Sequence, residues 1–137
     1  MIALSRLRIC LIDDDHLIRD AAAISLRDRG YEVITASDGD EGVDLVRRER
    51  PDLVVTDVVM PKADGFEVLP RLRAEFPEMP IIVASGGGQK RSRLYLDLAV
   101  SFGADACLAK PFSEDELAET VERVWTRVLE RRRRLSA

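Results

Sequence analysis

The sequence predicts an α/β fold, a doubly wound five-stranded parallel sheet in the order 2-1-3-4-5 with five helices on its faces. Three observations lead there. Short apolar, β-branched runs alternate with amphipathic segments along the whole chain. Strict alternation of this kind calls for parallel strands joined by helical crossovers. Runs such as Leu53 to Val55 and Ile81 to Ala84 are apolar throughout, as strands covered on both faces require.

The first strand is Arg8-Ile9-Cys10-Leu11-Ile12, stopped by Asp13-Asp14-Asp15. A helix follows, with Leu17, Ile18, Ala21, Ala22, Ile24 and Ser25 at helical spacing, and Gly30 ends it. Residues 31–36 form a second strand. Asp38 opens the next helix, with Glu41 placed for a reciprocal cap, Val43 and Val46 on its inner side, and Pro51 closing it. The third strand is Leu53-Val54-Val55-Thr56, which ends on Asp57, and Pro61 prevents its continuation. Asp64 and Glu67 repeat the cap signature and open a helix whose inner face is Phe66, Leu69 and Leu72. Ile81-Ile82-Val83-Ala84 is the fourth strand, and a polar, glycine-rich loop runs from Ser85 to Arg93. A helix over 94–102 is capped by Gly103. Ala106-Cys107-Leu108-Ala109 is the fifth strand, stopped by Lys110-Pro111. Ser113 and Glu116 cap the last helix, with Leu117, Val121, Val124 and Val128 on one side.

The 137 residues suit one domain able to bury a real core without staples. The expectation is one unit over 1–137, with its core at about 7–129 and a basic tail at 130–137. The net charge of −4 argues against a nucleic-acid partner. Arg6 and Arg8 interrupt the apolar N-terminus, so it does not read as a signal peptide. No apolar run is long enough to span a bilayer. A cytoplasmic protein without membrane contact is expected. Cys10 and Cys107 lie in apolar runs on strands that are not neighbours, so both are expected to be free.

In a parallel sheet the carboxyl ends of the strands share one edge, where ligands collect. Here that edge gathers Asp13, Asp14, Asp57, Ser85 and Lys110. Three carboxylates packed together repel one another and resist ionising. A hard divalent cation resolves the conflict, and Mg²⁺ favours few carboxylates, several waters and a phosphate oxygen. Lys110 and Ser85 are suited to hold an anion beside it. Metal, lysine and hydroxyl around one carboxylate make an acceptor site for phosphoryl transfer.

These residues carry a family resemblance. Leu11-Ile12-Asp13-Asp14-Asp15, Asp57-Val58-Val59-Met60-Pro61 with Asp64-Gly65, Ala84-Ser85, Gly103-Ala104-Asp105 and Lys110-Pro111-Phe112 occur in order over about 7–129. Together they resemble the receiver domain of bacterial two-component response regulators, of the stand-alone chemotaxis-regulator type, with a flavodoxin-like fold. The resemblance implies that Asp57 is the phosphoacceptor. It implies that Asp14 and Asp57 ligate Mg²⁺ through carboxylates, Val59 through its carbonyl, and Asp13 through a water. Lys110 would pair with the phosphoryl group and Ser85 would be the switch hydroxyl. The donor would be a sensor histidine kinase or a histidine phosphotransfer protein, and the output would pass to a downstream protein of unknown identity. The expected oligomeric state is a monomer or weak dimer.

Two features depart from the family pattern. Cys107 stands three residues before the lysine, where an aromatic is usual, and the loop from Gly86 to Arg91 is longer than usual. The readout is therefore expected to run through that loop, with Tyr95 filling the space beside Cys107. Other residues read more plainly. Asp15 is a solvated helix start, and His16 lacks a second His or Cys partner. Gly86-Gly87-Gly88 lacks the spacing of a phosphate loop. The run Arg131 to Arg134 completes a helix C-terminus, where cations suit the dipole. Trp125 fits a packing role or a partner surface equally well.

Signalling rather than enzymatic turnover is the expectation, with no output domain after the last helix. A silent receiver that binds partners without phosphorylation is the alternative, although such domains usually lack an acidic residue or the lysine. An aspartyl phosphatase of the haloacid-dehalogenase type would need a second Asp where Val59 stands.

Overall fold

The computed structural model describes residues 7–57, 65–85, 97, 100, 101 and 103–136, without the side chains of 65–67. Its strands are β1 (Arg8–Ile12), β2 (Glu32–Ala36), β3 (Leu53–Asp57), β4 (Ile81–Ser85) and β5 (Ala106–Ala109). Its bounded helices are α1 (His16–Asp28), α2 (Gly39–Glu49), α3 (Gly65–Glu75) and α4 (Glu114–Ser136). Of the helix expected over 94–102, only Asp97, Val100 and Ser101 are described, and all three are helical. The strands form one parallel sheet in the order β2-β1-β3-β4-β5, as the alternation predicts.

β3 and β4 lie in the middle of the order and are buried along their whole length. Alternate residues of β1, β3 and β4 feed two cores. On one face Leu11, Val55 and Ile82 pack with α1 and α4 residues such as Leu26, Val121 and Trp125. On the other face Ile12, Val54 and Val83 pack with Val43 and Val46 of α2 and Leu69 and Leu72 of α3. Burial of a Val or Leu side chain is favourable by about 1.5–3 kcal/mol. This two-sided packing is what permits the inner strands to be largely apolar.

Local chemistry sets the helix ends. Asp15 caps α1, its carboxylate accepting from the N–H groups of Leu17 and Ile18. Gly30, at φ 97°, supplies the left-handed turn into β2. Asp38 caps α2 by accepting from Glu41 N at 2.9 Å. Glu41 closes the reciprocal half one residue earlier than expected, accepting from the N–H and hydroxyl of Ser37. Ser113 Oγ accepts from Glu116 N at 3.0 Å and starts α4. The run Arg131 to Arg134 lies within α4, at its C-terminal end.

One packing expectation needs adjustment, and one open reading is resolved. Leu17 and Ile24 share the helical spacing of α1, yet they are 70% and 58% exposed. The buried side of α1 is Ala22, Ala23, Ser25 and Leu26. Trp125 is only 4% exposed and packs in the core, with the Arg132 guanidinium 5.1 Å from its ring centre. No helix among the described residues is long and apolar enough to cross a membrane.

Candidate phosphoacceptor and metal site

The register of the sheet builds the site. Ile12 pairs with Thr56, so the next residues, Asp13 and Asp57, leave adjacent strands side by side. Ser85 pairs with Ala109, the residue before Lys110, and the Lys110 N–H donates to Ser85 O at 2.7 Å. Lys110 therefore starts at the far edge of the sheet. Its long side chain passes the end of β4 to reach β3 and β1. Its Nζ donates to Asp13 Oδ2 at 2.8 Å and to Asp57 Oδ2 at 3.0 Å.

Asp13, Asp57 and Ser85 are 4%, 7% and 0% exposed, whereas Asp14 is exposed. Burial pulls the Lys110 ammonium down, but its hydrogen bonds to Asp13 and Asp57, with their charges, outweigh that pull. Its pKa stands above the ordinary lysine value. Asp13 is held from further sides. Its Oδ1 accepts from Asp15 N at 2.9 Å, and its own N–H donates to Ala36 O at 3.1 Å. Arg19 Nη1 donates to the Asp13 carbonyl at 2.8 Å. Arg19 escapes a reading based on strand ends, because it lies one turn inside α1. The only sequence signal is an arginine one turn after a run of acids.

Carboxylate oxygens of Asp13, Asp14 and Asp57 all lie within 4.8 Å of one another. Three carboxylates there face one ammonium, which leaves two negative charges. Hard oxygen donors with that residual charge fit a divalent cation of the Mg²⁺ type. Of the predicted site residues, the structure brings together Asp13, Asp14, Asp57 and Lys110, and places Ser85 at the end of the intervening strand. Val59, the loop residues 86–93 and Tyr95 lie outside the described residues. Cys107 is half-buried, on the strand that leads to Lys110.

Residues 9–122 match the family described as response regulator receiver domain. Response regulator MprA of Mycolicibacterium vanbaalenii is 41% identical over 110 residues, which are 80% of this chain and 46% of that protein. The Mycobacterium leprae protein of the same name is 37% identical over 121 residues, 88% of this chain and 52% of that protein. The chain thus spans about half the length of the curated relatives it matches. Among solved structures, NtrX from Brucella abortus superposes with a TM-score of 0.86 at 30% identity, covering 93% of this chain and 29% of that one. A CheY-like receiver domain protein from Methanospirillum hungatei gives 0.83 at 27% identity, covering 91% of this chain and 98% of that one. An acid cluster and lysine on the carboxyl edge of a 2-1-3-4-5 sheet, with a family match over most of the chain, make this a member of the response regulator receiver domain family of two-component signalling.

Proposed function

We propose that this chain is a phosphorylation switch that accepts a phosphoryl group on Asp57. The donor would be a phosphohistidine on a sensor kinase or phosphotransfer protein in the cytoplasm. The carrying observation is the double contact of Lys110 Nζ with Asp13 and Asp57 beside a third carboxylate. Residues 1–137 would act as one receiver unit and signal by protein–protein contact.

Asp13, Asp14 and Asp57 would hold Mg²⁺, with the Val59 carbonyl as a further ligand. Bound there, the cation would neutralise charge on the carboxylates and on phosphate oxygens. An Asp57 oxygen would form the O–P bond as the donor's P–N bond breaks, the electron pair leaving with the imidazole nitrogen. Lys110 would follow the charge from the carboxylate to the phosphoryl oxygens without losing its proton. Asp13 would keep the ammonium in place, and Arg19 and Asp15 N would keep Asp13 in place. Ser85 would donate its hydroxyl to a phosphoryl oxygen.

Acetyl phosphate with Mg²⁺ tests the reading. Intact mass under acid quench should show one added phosphoryl group on the parent and none on Asp57→Asn. Equal modification of the two proteins would reject the assignment.

A further inference from the structure

α4 runs on to Ser136, past residue 122 where the family match ends. Val128 is its last buried residue, and positions 130–136 are all exposed. At a helical rise of about 1.5 Å per residue they form an overhang of about 10 Å. The charges of α4 are sorted along its axis. From 114 to 122 it carries five acids and no base, and from 123 to 136 six arginines and one acid, Glu130. The helix dipole favours acids in the first turn and cations in the last. It does not account for Glu119 and Glu122 in one half, or Arg123 and Arg127 in the other. These four are exposed, as are Arg133 and Arg134, and none of the six forms an ion pair among the described residues. Three other charges of α4 are engaged on their own domain. Asp115 meets Arg29 at 2.6 Å, Arg131 meets Glu78 at 3.9 Å, and Arg132 lies over Trp125.

A helix sorted in this way is complementary to a reversed copy of itself. A parallel pair would set acids against acids and arginines against arginines. An antiparallel pair, about a two-fold axis near 124–125, sets Glu116 of one copy opposite Arg133 of the other, and Glu122 opposite Arg127. The two-fold makes each pair twice. An anionic surface or polymer would attract only the arginine half and would be repelled by the acidic half. We propose that two copies of this chain associate through the outer faces of their α4 helices, laid antiparallel. The inner face, with Val121, Trp125 and Val128, keeps its place in each core. Exposed ion pairs are individually weak and are screened by salt. The dimer therefore depends on the whole row of charges and on low ionic strength.

Sedimentation equilibrium of the full chain tests the pairing. At about 0.02 M salt a monomer–dimer equilibrium is expected, and its Kd should rise at least about tenfold by about 0.5 M salt. Two charge-reversed variants follow from the geometry. One carries Glu116→Arg, Glu119→Arg and Glu122→Arg; the other carries Arg127→Glu, Arg133→Glu and Arg134→Glu. Each alone should be monomeric, and an equimolar mixture should form a heterodimer. Both leave Arg131 and Arg132 on their own domain. Orientation is read from spin labels on Ser136→Cys in a Cys107→Ser background. Antiparallel helices place the two labels about 35 Å apart, whereas parallel helices would bring them within about 10 Å. The dimer should persist in Asp57→Asn and without Mg²⁺, which separates this result from phosphoryl acceptance. A parent that stays monomeric at low salt, a mixture that does not associate, or a short label distance would each overturn the proposal. Binding of the parent to anionic vesicles in place of self-association would do the same.

Discussion

Lys110 Nζ lies 3.0 Å from Asp57 Oδ2, although β4 separates the strand that ends in Asp57 from the strand that leads to Lys110. The same ammonium lies 2.8 Å from Asp13 Oδ2. One cation thus ties together the ends of β1, β3 and β5. All three side chains are at least four-fifths buried, so removing the cation leaves two buried carboxylates facing each other. Lys110→Met should destabilise the fold by about 3 kcal/mol in urea denaturation without divalent cations. Mg²⁺ should recover much of that loss. A Lys110→Met protein as stable as the parent without metal would show that the ammonium is not what balances the cluster.

Asp57→Asn should act in the opposite direction. It removes one of three carboxylates and keeps an oxygen able to accept from Lys110. The metal-free variant is expected to melt higher than the metal-free parent. The stabilisation given by Mg²⁺ should shrink, from about 2.7 kcal/mol at a hundredfold excess over Kd in the parent. Differential scanning calorimetry with and without Mg²⁺ measures both. A lower melting temperature for the metal-free variant would refute the repulsion argument.

Lys110 also sets an alkaline limit. The unfolded chain releases this proton near the ordinary value of 10.5, and the folded chain only at higher pH. The contribution of the pair is therefore complete below pH 10.5 and is lost as pH rises through the folded value. Stability followed from pH 8 upwards should fall more steeply above 10.5 in the parent than in Lys110→Met. Parallel curves would mean that the lysine proton is not bound more tightly in the fold.

The two thiols should separate cleanly by reactivity. Burial, with a smaller push from the Glu41 charge, raises the Cys10 thiol to about 12. Cys107 is raised by burial too, and then by Asp97, but it is only half-buried. Iodoacetamide on the native protein should label Cys107 slowly and Cys10 only after unfolding. β3 and β4 stand between the two, so no intramolecular disulfide should form. Peptide mapping that found Cys10 alkylated first would contradict the burial.

Much of this fold is legible in the sequence. Runs such as Leu53 to Thr56 mark strands because burial on both faces demands unbroken apolar residues. Asp57 and Lys110 mark the ends of strands because charge cannot continue into the sheet. Alternation then fixes parallel pairing, and the common doubly wound order brings the acids to one edge. What stayed hidden depends on three-dimensional placement. Spacing picks out Ala22 and Ser25, which are buried, but also Leu17 and Ile24, which are exposed, because α1 meets the sheet through Ala22, Ala23, Ser25 and Leu26. Arg19 makes its contact through a backbone carbonyl, which no residue type announces. Ser37 sharing the Glu41 carboxylate is likewise a matter of local backbone path.

Gly42 offers a test of how closely α2 rests on the site. A Cβ at this position would fall 2.4 Å from Ile12 Cδ1 and 2.8 Å from Ile12 Cγ1. Ile12 is fully buried and immediately precedes Asp13, so its side chain has little room to yield. Alanine would gain about 1 kcal/mol of helix propensity over glycine. The overlap should cost about 1–3 kcal/mol and exceed that gain. Gly42→Ala is therefore expected to be destabilising. Ile12→Val alone should cost about 1 kcal/mol, yet in the Gly42→Ala background it should cost less or help. A fully additive double variant in chemical denaturation would show that the helix simply moves outward.

Arg73 and Asp105 form a clamp at the other end of the sheet. Arg73, in the last turn of α3, donates to Pro77 O at 3.0 Å, Met79 O at 2.7 Å and Gly103 O at 2.6 Å. It also meets Asp105 Oδ2 at 3.1 Å. That same carboxylate oxygen accepts from Ile81 N at 2.8 Å, and Asp105 N donates to Ile81 O at 2.8 Å. The pair therefore holds the starts of β4 and β5 in register, and β5 is the strand that delivers Lys110. Asp105→Ala would leave the Ile81 N–H without its side-chain acceptor and Arg73 with its three carbonyl partners only, a loss of about 2 kcal/mol. Asp105→Asn keeps an acceptor and should lose less. In a double-mutant cycle with Arg73→Ala, a coupling of about 1 kcal/mol is expected, because the two residues share one contact. Hydrogen exchange should quicken in β5 of Asp105→Ala, while β1 and β3 stay protected. Uniform loss of protection across all five strands would show instead that the clamp supports the whole fold rather than the edge that carries the lysine.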